Sequence, residues 1–193
     1  MYNSYQHTIV ITNRHLVQGD FLKQLEKVTK LHPHALLLRE KDLTDEEYEN
    51  LAREVLRLCQ MEEVTCFLQT KLEIVRKTGC KNVHLSIPVL TSLSETKKNS
   101  LRKDFQEISV SCHSMEDVDI AVKSGATQII LGTIFETECK KGLPGKGVEF
   151  VKEICRSCPI PVYAIGGINQ ERLAQVIKAG AAGGCMMSGF MQL

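Results

Sequence analysis

The 193-residue chain has almost no surplus charge: 24 basic residues against 23 acidic ones leave a net charge of +1. That balance supplies no global field to attract nucleic acid or an anionic membrane. Aromatic residues make up only 5%, and there is neither a basic stripe nor a nucleic-acid-reading motif, so no nucleic-acid partner is expected. No apolar run approaches the ~20 residues needed to span a bilayer. The opening "MYNSYQH" lacks the basic and apolar regions of a signal peptide. A soluble, cytoplasmic protein is the expectation, with no membrane partner.

Cysteine is present but not as a framework. Eight cysteines (Cys59, Cys66, Cys80, Cys112, Cys139, Cys155, Cys158 and Cys185) are scattered through apolar segments. Only Cys155 and Cys158 have redox or metal spacing, with no second Cys-x-x-Cys and no His pair at zinc spacing. Reduced thiols acting as small buried hydrophobes are expected.

What the chain does have is 43% hydrophobic residues, enough for one substantial core. Short runs rich in Val, Ile and Leu predict strands at 7–12, 35–38, 64–68, 82–85, 108–111, 128–131, 162–165 and 183–187. Amphipathic patterns between them predict helices at 20–29, 45–60, 71–78, 94–105, 115–124, 148–156 and 170–179. Near-continuous apolar strands joined by helices mean a parallel sheet covered on both sides. Three helix-to-strand joints repeat a glycine, at Gly79, Gly125 and Gly180, suited to ending a helix in the left-handed conformation. The expected fold is α/β, a small (β/α)8 TIM barrel formed by residues 1–193 as a single domain. An open doubly wound sheet is the alternative, but the first strand is not followed by G-x-G-x-x-G. The chain stops at Leu193, so the eighth helix should be short or missing. A partner subunit or a rearranged terminus is expected to cover the wall left bare, and a homo-oligomer such as a dimer is anticipated.

In such barrels chemistry sits at the C-terminal ends of the strands, and phosphate commonly binds after strands 7 and 8. There the chain places Gly166-Gly167, followed by a helix capped at Asn169, and Met187-Ser188. Backbone N–H groups at a helix start favour an anion, so these four residues are candidate phosphate ligands; a tight turn is the alternative for the glycines. Arg39 and Lys41, directly after "ALLL", could bind an anionic substrate. His113 falls near the mouth after strand 5. The long strand-6 loop "GTIFETECKKGLPGKG" carries Lys140, Lys141 and Lys146 and is expected to act as a lid.

The stretches "VITNR", "LLLREKD", "VSCHSMEDVDIAVKSGATQIILGTIFETECKKGLPGKG" and "PVYAIGGINQERLAQVIKAGAAGGCMMSGF" resemble the thiamine-phosphate synthase/TenI superfamily. The likeness runs nearly end to end and is strongest from about Ser109 to Phe190. It implies a barrel acting on a small-molecule phosphate, thiazole phosphate, in thiamin biosynthesis. Two activities are implied. A synthase joins an aminopyrimidine diphosphate to thiazole phosphate, with Mg²⁺ on the leaving group. A TenI-type tautomerase shifts a double bond in the thiazole phosphate carboxylate and needs no metal.

Against the synthase pattern, Arg39 and Lys41 match the residues that bind diphosphate, while Leu37 stands where a Gln is expected. Gln69-Thr70 replaces an Asn-Asp pair, and Val89 replaces the metal-binding Asp after strand 4. Mg²⁺ would be needed only by a synthase, and its expected carboxylates are missing, so no cofactor is expected. The "FETECKKGL" loop resembles TenI more closely, yet Thr133 stands where a His would move the proton. The expectation is therefore a TenI-like tautomerase, with Thr133 and His113 as catalytic candidates and Arg39, Lys41, Thr137 and Lys140 as substrate-binding ones. A thiamine-phosphate synthase and a non-catalytic or regulatory binder of thiazole or thiamin phosphate are the alternatives.

Overall fold

Short, fully apolar segments build the sheet. All four residues of β1 (Thr8–Ile11) and β2 (Ala35–Leu38) are buried, as are all five of β6 (Gln128–Gly132). The computed structural model describes residues 5–69, 71–137, 142 and 144–193. Its remaining strands are β3 (Thr65–Leu68), β4 (Asn82–Ser86), β5 (Glu107–Cys112), β7 (Val162–Ile165) and β8 (Gly183–Met186). They follow one another in chain order from β1 to β8 and close into a barrel. The pairs are parallel: Leu36 lies beside Cys66, Val110 beside Ile129, and Gly132 beside Ile165. Closure in chain order excludes the open doubly wound sheet.

The chain divides into two compact units, one formed by Met1–His84 with Met187–Leu193, the other by Leu85–Met186. The first carries α1 (Phe21–Thr29), α2 (Asp45–Met61), α3 (Leu72–Thr78) and the terminal α9 (Ser188–Met191). The second carries α4 (Ile87–Ser92), α5 (Glu95–Asp104), α6 (Met115–Lys123), α7 (Gly147–Ser157) and α8 (Gln170–Lys178). Among the described residues, no helix is long and apolar enough to cross a membrane.

Local sequence explains where the helices begin. The Asp20 carboxylate accepts from Lys23 N at 2.9 Å, and Thr44 and Glu47 form a reciprocal capping box at the start of α2. Each satisfies backbone donors that a helix leaves unpaired. The three repeated joints close as expected, with Gly79, Gly125 and Gly180 all at positive φ. Helix α4 escaped the sequence reading because it is short and contains Pro88. The proline sits in the first helical turn, where its missing N–H costs no hydrogen bond.

After β8 comes the short α9, which packs within the first unit. Phe190 and Met191 are buried. The Phe190 ring meets Tyr5 edge-on, with centroids 5.2 Å apart, and its carbonyl accepts from Gln24 Nε2 at 2.7 Å. Phe190→Ala should lower unfolding free energy by about 3 kcal/mol, the lower end for a buried Phe truncation. Urea denaturation with unchanged slope checks this, and a loss below about 1 kcal/mol would mean the end is only loosely packed.

Seven of the eight cysteines lie among the described residues, and Cys139 lies outside them. Cys59, Cys66, Cys80, Cys112 and Cys185 are buried, and Cys155 and Cys158 partly so, all seven free. Burial pushes the Cys112 thiol up to about 12 and that of Cys155 up to about 11, well away from reactive thiolates. A cavity of about 320 Å³, lined by Cys59, Thr65, Cys66, Cys80 and Asn82 among others, opens at the N-terminal ends of β3 and β4. That is the end of the strands remote from where barrels of this kind place their chemistry.

Candidate functional site

The C-terminal ends of β1 and β2 must meet, because the two strands are neighbours with Ile11 beside Leu37. Thr12 continues this pairing: its N–H donates to Leu37 O at 3.0 Å. Its hydroxyl accepts from Arg39 N at 3.0 Å and donates to Glu40 Oε1 at 2.7 Å. Glu40 is only 3% exposed and also accepts from the Arg14 backbone N–H at 3.1 Å and from Arg14 Nη1 at 3.2 Å. The Arg14 guanidinium then grips Asp42 with two bonds, at 2.6 and 2.5 Å, while His15 Nε2 lies 2.9 Å from the same carboxylate. Arg14 above all, and His15 after it, hold the Asp42 carboxyl well below the usual range. Both acidic groups of "REKD" are thus consumed by the segment after β1.

Arg39 and Lys41, which flank Glu40, make no ion pair among the described residues. Burial, and then the neighbouring Arg39, depress the Lys41 ammonium. Burial, followed by the charges of Arg39 and Lys41, lowers the His84 imidazole to about 3, so it is neutral. The structure therefore brings the two predicted cations within mutual reach beside a neutral histidine. Close by in the chain, Tyr48 Oη donates to Leu38 O at 2.8 Å and accepts from Gln69 N at 3.1 Å, latching the ends of β2 and β3. The Gln69 amide oxygen is buried without a hydrogen-bond partner.

In the second unit, the turn after β7 is built against the segment leaving β6. Ile134 N donates to Ile165 O at 2.9 Å and Phe135 N to Gly166 O at 3.1 Å. Arg172, in α8, donates from Nη1 to Gly167 O at 2.7 Å and lies over the Phe135 ring, 4.7 Å from its centroid. A Cβ on Gly166 would come 2.4 Å from Thr133 Cγ2, and one on Gly167 would come 2.7 Å from Glu136 O. The glycines are required by the close approach of the segment leaving β6, a sharper reason than the tight turn that sequence offered as the alternative to a phosphate site. Both turn carbonyls are occupied, whereas the N–H groups of Gly167 and Ile168 find no acceptor among the described residues. Asn169 caps α8 directly behind them, accepting from Arg172 N at 2.9 Å.

His113 serves this same segment. Its Nδ1 bonds Gly132 O at 2.6 Å, its N–H donates to Asp117 Oδ2 at 2.6 Å, and its carbonyl accepts from Lys146 Nζ. Thr133 is half-buried, and its carbonyl accepts from Lys146 N at 3.0 Å. His113, Thr133, Gly166 and Gly167 thus belong to one unit, whereas Arg39 and Lys41 share the other with Met187 and Ser188, which open α9. Thr137 is half-buried at the end of a described stretch, and Lys140 lies outside the described residues. Sequence reading missed Arg14, Glu40, Asp42 and Arg172 as organisers. The available signal was the arginine two residues past Thr12 facing the acidic residues of the neighbouring strand end.

Comparison with known proteins bears on which reaction such a site serves. The chain is 32% identical over 182 residues to "Putative thiamine-phosphate synthase 2" of Aquifex aeolicus, covering 94% of this chain and 96% of that one. It is 29% identical over 183 residues to the thiamine-phosphate synthase of Fusobacterium nucleatum, covering 94% and 87%. The solved thiamine phosphate pyrophosphorylase of Pyrococcus furiosus superposes with a TM-score of 0.81 at 22% identity, over 99% of this chain and 90% of that one. At that identity the superposition speaks for the fold alone. The names of these relatives correct the expectation of a TenI-like tautomerase with Thr133 and His113 moving its proton: they point to the synthase. The family model described as thiamine monophosphate synthase matches residues 8–190, and the chain belongs to that family.

Proposed function

We propose that the protein is a thiamine-phosphate synthase, joining an aminopyrimidine diphosphate to thiazole phosphate. The observation that carries this reading is the pair Arg39 and Lys41, without carboxylate partners among the described residues while the adjacent Arg14 is neutralised twice over. In the reaction, the thiazole nitrogen attacks the methylene carbon that bears the diphosphate. A C–N bond forms, the C–O bond breaks, and its electron pair leaves on the diphosphate oxygen. Negative charge therefore grows on the leaving group, where preorganised cations lower the barrier most. Arg39 offers a planar fork for two oxygens and Lys41 a point charge. The N–H groups of Gly167 and Ile168, just before α8 and without an acceptor among the described residues, suit the phosphate of the thiazole.

A divalent cation fits these residues poorly. Mg²⁺ takes hard oxygen ligands, usually one or two carboxylates. Val89, where the family resemblance expects an aspartate, lies on α4 and offers no donor. Gln69 presents one neutral amide oxygen, and Glu40 and Asp42 are already bound to Thr12, Arg14 and His15. Thr70 lies outside the described residues.

Incubation with both substrates should yield thiamine phosphate and diphosphate in equal amounts. Separation of the product, with a parallel diphosphate assay, checks this. Absence of both products from a folded protein at saturating substrates, in EDTA and in Mg²⁺ alike, would overturn the synthase reading. A non-catalytic binder, which the replaced carboxylates favour, would instead bind thiazole phosphate without turnover.

A further inference from the structure

We infer that this chain holds the diphosphate leaving group with Arg39 and Lys41 and without a divalent cation. The assignment deepens the synthase reading, on which its catalytic part rests, but its binding part stands by itself.

The geometry begins with Glu40. Its carboxylate is fixed to the segment after β1 by Thr12 and Arg14, while Arg39 before it is half-buried and Lys41 after it is exposed where the chain turns. Arg39 is anchored there by its own N–H, bonded to the Thr12 hydroxyl at 3.0 Å. Two like charges near one another, without a carboxylate partner among the described residues, repel, which adds to burial in depressing the Lys41 ammonium. Such a pair becomes favourable when an anion enters. Arg14 shows the contrast: with Glu40 and Asp42 both on it, it is a brace with little attraction left for a ligand.

The same network removes the alternative. A metal-bridged diphosphate needs anionic oxygens facing the ligand, and the two carboxylates at this strand end are turned to Arg14, His15 and Thr12. The buried amide oxygen of Gln69 is uncharged and single, and a small, strongly hydrated cation gains little from it. Among the described residues at this strand end, guanidinium and ammonium therefore balance the departing diphosphate, through charge-assisted hydrogen bonds.

Calorimetric titration of inorganic diphosphate into the full chain, in EDTA, tests this. One diphosphate should bind per chain. Arg39→Ala and Lys41→Ala should each weaken it by about tenfold or more, the size of losing one charge-assisted bond, with Lys41→Arg within about threefold of the parent. Lys41 is exposed, so its variants should remain folded, as circular dichroism will record. Millimolar Mg²⁺ should leave the affinity unchanged or weaken it, since the free cation then competes for the same oxygens. Binding that appears only with Mg²⁺, or strengthens by about tenfold on its addition, overturns the inference. So does diphosphate affinity that Lys41→Ala leaves unaltered. Turnover separates the two proposals. Thiamine phosphate formed in EDTA supports both, and product formed only with Mg²⁺ refutes this one while keeping the synthase. Metal-free diphosphate binding without product under either condition refutes the synthase and keeps the binding site.

Discussion

Gly166→Ala should lower unfolding free energy by about 3 kcal/mol, and Gly19→Ala by only about 1 kcal/mol. The two glycines form a matched pair. Their φ angles are +104° and +105°, so an alanine at either meets the same left-handed strain. Their surroundings differ. Nothing lies within 4 Å of a Cβ added at Gly19, whereas at Gly166 it would sit 2.4 Å from Thr133 Cγ2 and 3.1 Å from Ile134 N. That second contact is backbone, held by Ile134 N donating to Ile165 O, so it has no rotamer by which to withdraw. The difference between the variants isolates the close approach from the strain. Urea denaturation of both supplies the numbers, and equal losses would mean the segment after β6 yields without cost. Phosphate affinity should fall in Gly166→Ala as well, because moving this turn redirects the Gly167 and Ile168 N–H groups.

Acid should destabilise the protein through His84, by about 3 kcal/mol at pH 4. The imidazole lies in β4, almost fully buried, with its value depressed to about 3 against an ordinary 6.5. A base whose folded value is depressed stays neutral in the native state while the unfolded chain takes up a proton. Its contribution is therefore complete above about pH 6.5 and is lost progressively as pH falls toward 3. Burial is the main cause and the charges of Arg39 and Lys41 add to it, so a bound anion there should relieve part of the depression. Thermal melts from pH 7 to pH 4 should show a falling midpoint that His84→Gln flattens. A His84→Gln variant with the same pH slope as the parent would place the acid sensitivity elsewhere.

How much was legible can be seen in single residues. Asn169 announced its helix because a cap acts on a backbone N–H three residues away, and the structure shows the same chemistry at Asp20 and Thr44. Gly79, Gly125 and Gly180 announced the ends for the same local reason. Helix α4 was overlooked because six residues around a proline carry too short a pattern to register. Arg39 and Lys41 stand out by their position directly past an apolar strand and by the family resemblance, which matches them to diphosphate-binding residues. Thr133 and His113 were chosen as proton carriers for a tautomerase. Yet His113 spends its Nδ1 on Gly132 O, and the named relatives are synthases.

By itself the sequence determined the barrel, since parallel strands buried on both faces write short unbroken apolar runs, and amphipathic helices write the spacing between them. It also determined which cations and glycines stand at the strand ends. Only the tertiary structure decided what those residues are free to do. Arg14 and Glu40 are 26 positions apart, and Phe135 and Gly166 are separated by 31, so no local pattern foretells their bonds. Closing the strands brings them together, neutralises Arg14, leaves Arg39 and Lys41 without an ion pair among the described residues, and turns Gly166 toward backbone. Charge available for a ligand is what remains after those distant partners have met.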